Sequence, residues 1–226
     1  MLEHRLSDRI DQSGDQRDAT PLTSSWPRDR GKEAEMAQPR QASGYLTGQL
    51  LIAMPTMRDP RFTRTVIYMC AHNAEGAMGL VVNRLVGSLT FPELLQQLGI
   101  EVADRKRDLR IHFGGPVDSG RGFVLHSDDY TQDGTLMVEG GIALTATVDI
   151  LKQIASGGGP SQSLLALGYA GWGPGQLDSE IQANGWLHAP ADQSIVFDSD
   201  LDGKWQRAIN KIGVDVSLLS GEAGHA

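Results

Sequence analysis

GYAGWGPGQLDSEIQANGWL, Gly168 to Leu187, places a turn, a short helix and the start of a strand directly behind an apolar run. Its first eight residues hold four glycines, one proline and two aromatic residues. Glycine reaches positive φ and lets another segment come close. Gly-Pro suits the first turn of a helix. Leu177 and Ile181 then stand four apart on one helical face, with Asp178 and Glu180 elsewhere. Both acids lie near the positive end of the helix dipole. Asn184-Gly185 stops the helix, since both tolerate the left-handed conformation. With a strand over Ser163–Tyr169 before it and Trp186-Leu187 opening another, the segment reads as strand, turn, helix, strand.

GYAGWGPGQLDSEI resembles the signature of the bacterial AlgH/YqgE family. LLIAMPTMRDPRFTRTVIYMCAHN, GAMGLVVNRL, FGGPV and GFVLH match that family in the same order, from about Tyr45 to about Ile212. The resemblance implies a shared fold but brings no biochemical activity with it. Some members are labelled transcriptional regulators, which makes DNA binding a reading to weigh.

A chain of 226 residues buries a sizeable core without staples. Its 27 glycines exceed the usual ~7% and favour many tight turns. Residues 1–44 differ from the rest: seven Lys/Arg and eight Asp/Glu stand among Ser, Gln and Pro, with no sustained apolar period. Such a segment is expected to be a disordered tail, and natural translation is expected to start at Met36. A single domain follows over 45–216, with a frayed end over 217–226. One cysteine rules out an internal disulfide and fits a reducing cytoplasm. No window offers the ~20 apolar residues of a membrane span, and MLEHRLSDRIDQSG has no apolar signal core.

Apolar runs predict strands over Tyr45–Met54, Thr65–Cys70 and Gly79–Asn83, the last two as an antiparallel hairpin. Thr56–Arg64 reads as a polar connection. Thr90-Phe-Pro-Glu93 has the capping-box form, with Leu94, Leu95 and Leu98 on one face and Gly99 as the stop. Short strands follow at Leu109–Phe113, Gly122–His126 and Thr135–Glu139. A helix is expected over Leu144–Ile154, a strand over Gln193–Phe197, and a last helix with Trp205, Ala208, Ile209 and Ile212 on its apolar face. Strands and helices do not alternate strictly, so the expected class is α+β, with a mixed, mostly antiparallel, barrel-like sheet and flanking short helices.

No catalytic motif stands out. Gly115-x4-Gly120-Arg121-Gly122 approaches a phosphate loop but lacks the lysine and the Ser/Thr that such a loop needs. A glycine turn between strands is the simpler reading, while Arg121 with nearby backbone N–H groups of Gly114 and Gly115 offers an anion contact. Cys70 and His72 share a face if their strand continues, which would set a cation beside a thiol; a lone cysteine is more often a small buried hydrophobe. His72, His112, His126 and His188 lack the spacing of a metal motif. Asp198-Ser-Asp200-Leu-Asp202-Gly203 imitates a calcium loop, yet its twelfth position is Ile209, not Glu. Asp178 and Glu180 are two apart and read as solvent-facing charges. No cofactor or metal is implied.

A ligand pocket is therefore expected beside the glycine-rich segment, with Gly114, Gly115, Arg121, Tyr169, Trp172 and Gln176 as candidate ligand-binding residues. Three readings follow. The first is a non-catalytic module that binds a small molecule or a protein. The second is a small hydrolase drawing on Cys70, His72, His126 and Asp178. The third is direct DNA binding, which the net charge of −8 disfavours. The one dense basic patch, Arg105-Lys106-Arg107 with Arg110, is interspersed with Asp104 and Asp108.

Overall fold

The computed structural model of the protein describes residues 45–101 and 109–213. The charged tail 1–44, the start at Met36, the basic run Arg105-Lys106-Arg107 and the C-terminal stretch 217–226 lie outside the described residues.

The apolar runs become strands β1 (Gln49–Ala53), β2 (Val66–Asn73) and β3 (Gly76–Val81). Helix α1 (Phe91–Gln97) follows, then β4 (Ile111–Phe113), β5 (Val117–Ser127), β6 (Thr135–Met137) and β7 (Ile142–Thr145). Helix α2 (Val148–Ala155), β8 (Ser163–Trp172), α3 (Gln176–Gln182) and β9 (Trp186–Pro190) lead to α4 (Gln193–Val196) and α5 (Leu201–Lys211). The strands form one curled, half-barrel sheet in the order β6-β7-β5-β8-β3-β2-β1-β9. Every pairing is antiparallel except β4, which runs parallel to β8. The architecture is the α+β class expected from the sequence.

Strand β8 is the seam of this sheet. Its first half pairs with β5 on one side and β4 on the other, and Ala170–Trp172 pair with β3. Between the halves sits Gly168 at φ +69°, where a Cβ would lie 2.5 Å from the Gly115 carbonyl oxygen. The turn after β4 is pressed into the same place: a Cβ on Gly114 would come within 2.2 Å of the Gly168 carbonyl oxygen. These glycines thus let two backbones meet at van der Waals distance.

Both faces of the sheet are buried. Even-numbered residues of β2, such as Tyr68 and Cys70, face the concave core with Leu50, Leu125 and Trp205. Ile67 and Met69 face a second core under α3 with Trp172, Leu177 and Trp186. A third core lies where α1 and α2 cover the β4–β5–β8 half. Burial on two sides explains why β2 reads as a near-continuous apolar run. Helix α5 closes the concave side, where the Trp205 indole donates to the Ala53 carbonyl at 2.9 Å.

The capping box at Thr90 and Glu93 forms as expected, with Gly99 left-handed at φ +68° after α1. Two expectations need correction. Gln193–Phe197 is not a strand: Asp192 accepts the Ile195 N–H and starts the single-turn helix α4. An N-cap outweighs the β propensity of so short a run. The helix expected over Leu144–Ile154 is split, because Leu144 pairs with Leu125 in β7 and the helix begins only after Thr147. Both segments supply buried apolar residues, so burial alone does not separate them.

Candidate functional site

A half-open cavity of about 510 Å³ lies on the convex side of the β1–β2–β3 half, beside α3. Three aromatic side chains, Phe62, Trp172 and Trp186, and three charged ones, Asp59, Arg61 and Glu180, line it. Trp186 stands edge-on to both other rings, at 5.6 Å and 73° from Phe62 and at 6.0 Å and 82° from Trp172.

Each wall has a sequence cause. Trp172 ends β8 and Trp186 begins β9, and the intervening helix α3 carries Glu180 between them. Both indole N–H groups donate to the same Glu180 oxygen, at 3.0 and 2.8 Å. The Gln176 amide donates to the other oxygen at 2.9 Å, while its own oxygen accepts the Gly173 N–H. Glu180 is therefore half-buried and bonded, not the solvent-facing charge its spacing suggested; Asp178 is exposed.

The opposite wall is the connection after β1. The Arg61 guanidinium binds Asp59 through Nε and Nη2 and holds the Asp59 carboxyl below its usual range. Asn83 and Arg84 pin this loop: Asn83 bonds the Val66 N–H and the Arg64 carbonyl, and Arg84 donates to the carbonyls of Pro60 and Thr63. The loop is thus a built wall rather than only a polar connection.

Of the six residues expected at a ligand site, the structure brings Trp172 and Gln176 into the cleft. Tyr169 and Arg121 meet elsewhere, both against Phe123 at 5.9 and 5.2 Å. Gly114 and Gly115 are buried beneath β8, and the Gly114 N–H is already bonded to the Leu167 carbonyl. Sequence reasoning missed Glu180, Trp186 and the Asp59–Phe62 wall as site residues.

The other reactive groups do not gather there. Strand β2 bulges between Met69 and Ala71, so Cys70 and His72 do not share a face. Cys70 is in the concave core, where burial pushes its thiol up to about 12. The His72 ring instead accepts the Leu46 N–H and lies 3.8 Å from Asp178. His126 is fully buried against Thr145, and burial lowers its pKa. His112 is a buried residue of β4, its pKa lowered to about 4 by burial and by nearby Lys204. His188 bonds Gln49 on the exposed side of β9. Asp198 and Asp200, of the calcium-like run, both pair with Arg207. Among the described residues no three His, Cys, Asp or Glu side chains converge at metal-binding distances.

The family model described as AlgH-like matches residues 50–217. The chain belongs to the AlgH-like family. The AlgH-like chain is 57% identical over 196 residues to a UPF0301 protein of Bradyrhizobium diazoefficiens, covering 83% of this chain and 92% of that one. A UPF0301 protein of Afipia carboxidovorans is 60% identical over 190 residues, covering 80% and 90%. Among solved structures, the solution structure of the AlgH protein from Pseudomonas aeruginosa matches at 43% identity and a TM-score of 0.66, covering 85% of this chain and all of that one. A crystal structure of a Corynebacterium diphtheriae protein shares the fold at 21% identity and a TM-score of 0.62, with 83% and 94% covered. The AlgH-like match spans both walls of the cleft, from the β1–β2 loop to β9.

Proposed function

We propose that this AlgH-like protein is a non-catalytic binding module of the cytoplasm that takes a small ligand in the cleft beside α3. The observation that carries the reading is the cleft itself. A cavity of about 510 Å³ with aromatic walls and a few fixed polar groups has the make-up of a small-molecule site. Trp172, Trp186 and Gln176 are held in place by Glu180 before any ligand arrives, which lowers the cost of binding. The buried Cys70 thiol and the separated histidines argue against the hydrolase reading. The net charge of −8 argues against direct DNA contact, so any effect on transcription is indirect. A single free cysteine supports a reducing compartment, and no helix of the described residues is long and apolar enough to cross a membrane.

The test is a screen of small metabolites against isotope-labelled protein, following the indole N–H resonances. Binding in the cleft shifts Trp172 and Trp186 and leaves Trp205, which is bonded to Ala53 in the concave core, unmoved. A screen in which no compound moves either cleft indole would falsify the reading.

A further inference from the structure

Resting on that reading of the cleft, we propose that its ligand is a small organic cation. The first argument is charge. Asp59, Arg61 and Glu180 are the charged side chains of the lining. Arg61 is locked to Asp59 through contacts of 2.7 to 3.2 Å, so these two cancel. Glu180 is left over. Its hydrogen-bond donors are two indole N–H groups and one amide, all uncharged. Among the described residues no Lys, Arg or His is within ion-pair distance of it. The cleft therefore carries a formal charge of −1 on a half-buried carboxylate in a wall that also holds Phe62, Trp172 and Trp186. A carboxylate drawn out of water without a counter-ion is unfavourable, and an entering cation restores the balance.

The second argument is the walls. Trp186 stands near-perpendicular to both Phe62 and Trp172; the cleft reaches the half-buried Phe62 and narrow parts of the two indoles, 7% of Trp172 and 3% of Trp186 being exposed. Indole faces attract cations, quaternary ammonium groups above all. An anion would meet Glu180 and find the Arg61 guanidinium already held by Asp59.

The test uses three molecules of one shape: choline, its uncharged isostere 3,3-dimethyl-1-butanol, and the anion 3,3-dimethylbutyrate, titrated calorimetrically into the full chain. Choline is expected to bind about tenfold or more tightly than the alcohol, and the anion more weakly still. Glu180→Gln is expected to bring the choline-to-alcohol ratio close to one. Arg61→Gln, on a side chain 59% exposed, is expected to tighten choline by removing the one positive charge of the lining. If Glu180→Gln does not fold, the wild-type ratio and Arg61→Gln decide. Equal binding of choline and the alcohol overturns the charge preference and leaves the cleft a binding site. No binding of choline at about 10 mM overturns the cation proposal; the cleft reading then stands or falls on the indole shifts of the metabolite screen.

Discussion

Trp172 and Trp186, eight and six residues from Glu180 on opposite sides, donate their indole N–H groups to one oxygen of its carboxylate. A strand end and a strand start are thereby tied through the helix between them. Glu180→Ala leaves two largely buried N–H groups without an acceptor, at a cost of about 2 kcal/mol or more. Urea unfolding is expected to show the loss, together with a shift in tryptophan emission. A variant as stable as the parent would mean that solvent replaces the carboxylate.

The contact between the β4–β5 turn and β8 predicts a larger effect. A Cβ on Gly115, at φ +156°, would stand 2.0 Å from the Tyr169 carbonyl carbon. Neither backbone can retreat without breaking the seam of the sheet. Gly115→Ala is expected to cost on the order of 3 kcal/mol, whereas Gly120→Ala, with open space around it, is expected to be near neutral. Equal thermal midpoints for the two variants would refute the close approach.

Two buried histidines make stability depend on pH. Burial lowers the pKa of His112 to about 4 and lowers that of His126 as well, so the folded state refuses protons that an unfolded histidine takes up near 6.5. The His112 contribution is complete above about pH 6.5 and is lost as pH falls toward 4, by up to about 1.4 kcal/mol per pH unit, and His126 acts in the same direction. The urea midpoint is expected to fall steadily between pH 7 and 4.5 (roughly the window set by these values), and His112→Gln to flatten that slope. A midpoint constant over this range excludes the histidines as the cause.

Cys70 is 2% exposed and its thiol is pushed up to about 12, so almost no thiolate exists at neutral pH. Iodoacetamide is expected to leave it unmodified in the native protein and to label it in urea. Rapid labelling of the native state would reopen the nucleophile reading.

Much of the fold was legible because local chemistry and tertiary packing agreed. The capping box at Thr90 is a contact between neighbours in sequence, and β2 announces itself by an apolar run buried on both faces. The site was legible only in part. Trp172 and Gln176, which line the candidate cleft, lie inside the glycine-rich segment beside which a pocket was expected. Phe62 and Trp186 are 124 positions apart and meet only because β1 pairs with both β2 and β9. No spacing rule carries that information. Lys204 is a similar case: it is fully buried one turn before Ala208 on the apolar face of α5. Its ammonium donates to the carbonyls of Val82 and Val196, partners that the sequence does not place together.

The position of β8 late in the chain bears on how the protein is made. Strands β3, β4 and β5 leave the ribosome first, and each finds a neighbour in β8, which ends at Trp172. Until that residue has emerged, the nascent chain presents strand edges without a template, a condition that invites aggregation. Chaperones that cover nascent strand edges should therefore raise the yield of native protein, because they protect the chain until residue 172 has emerged.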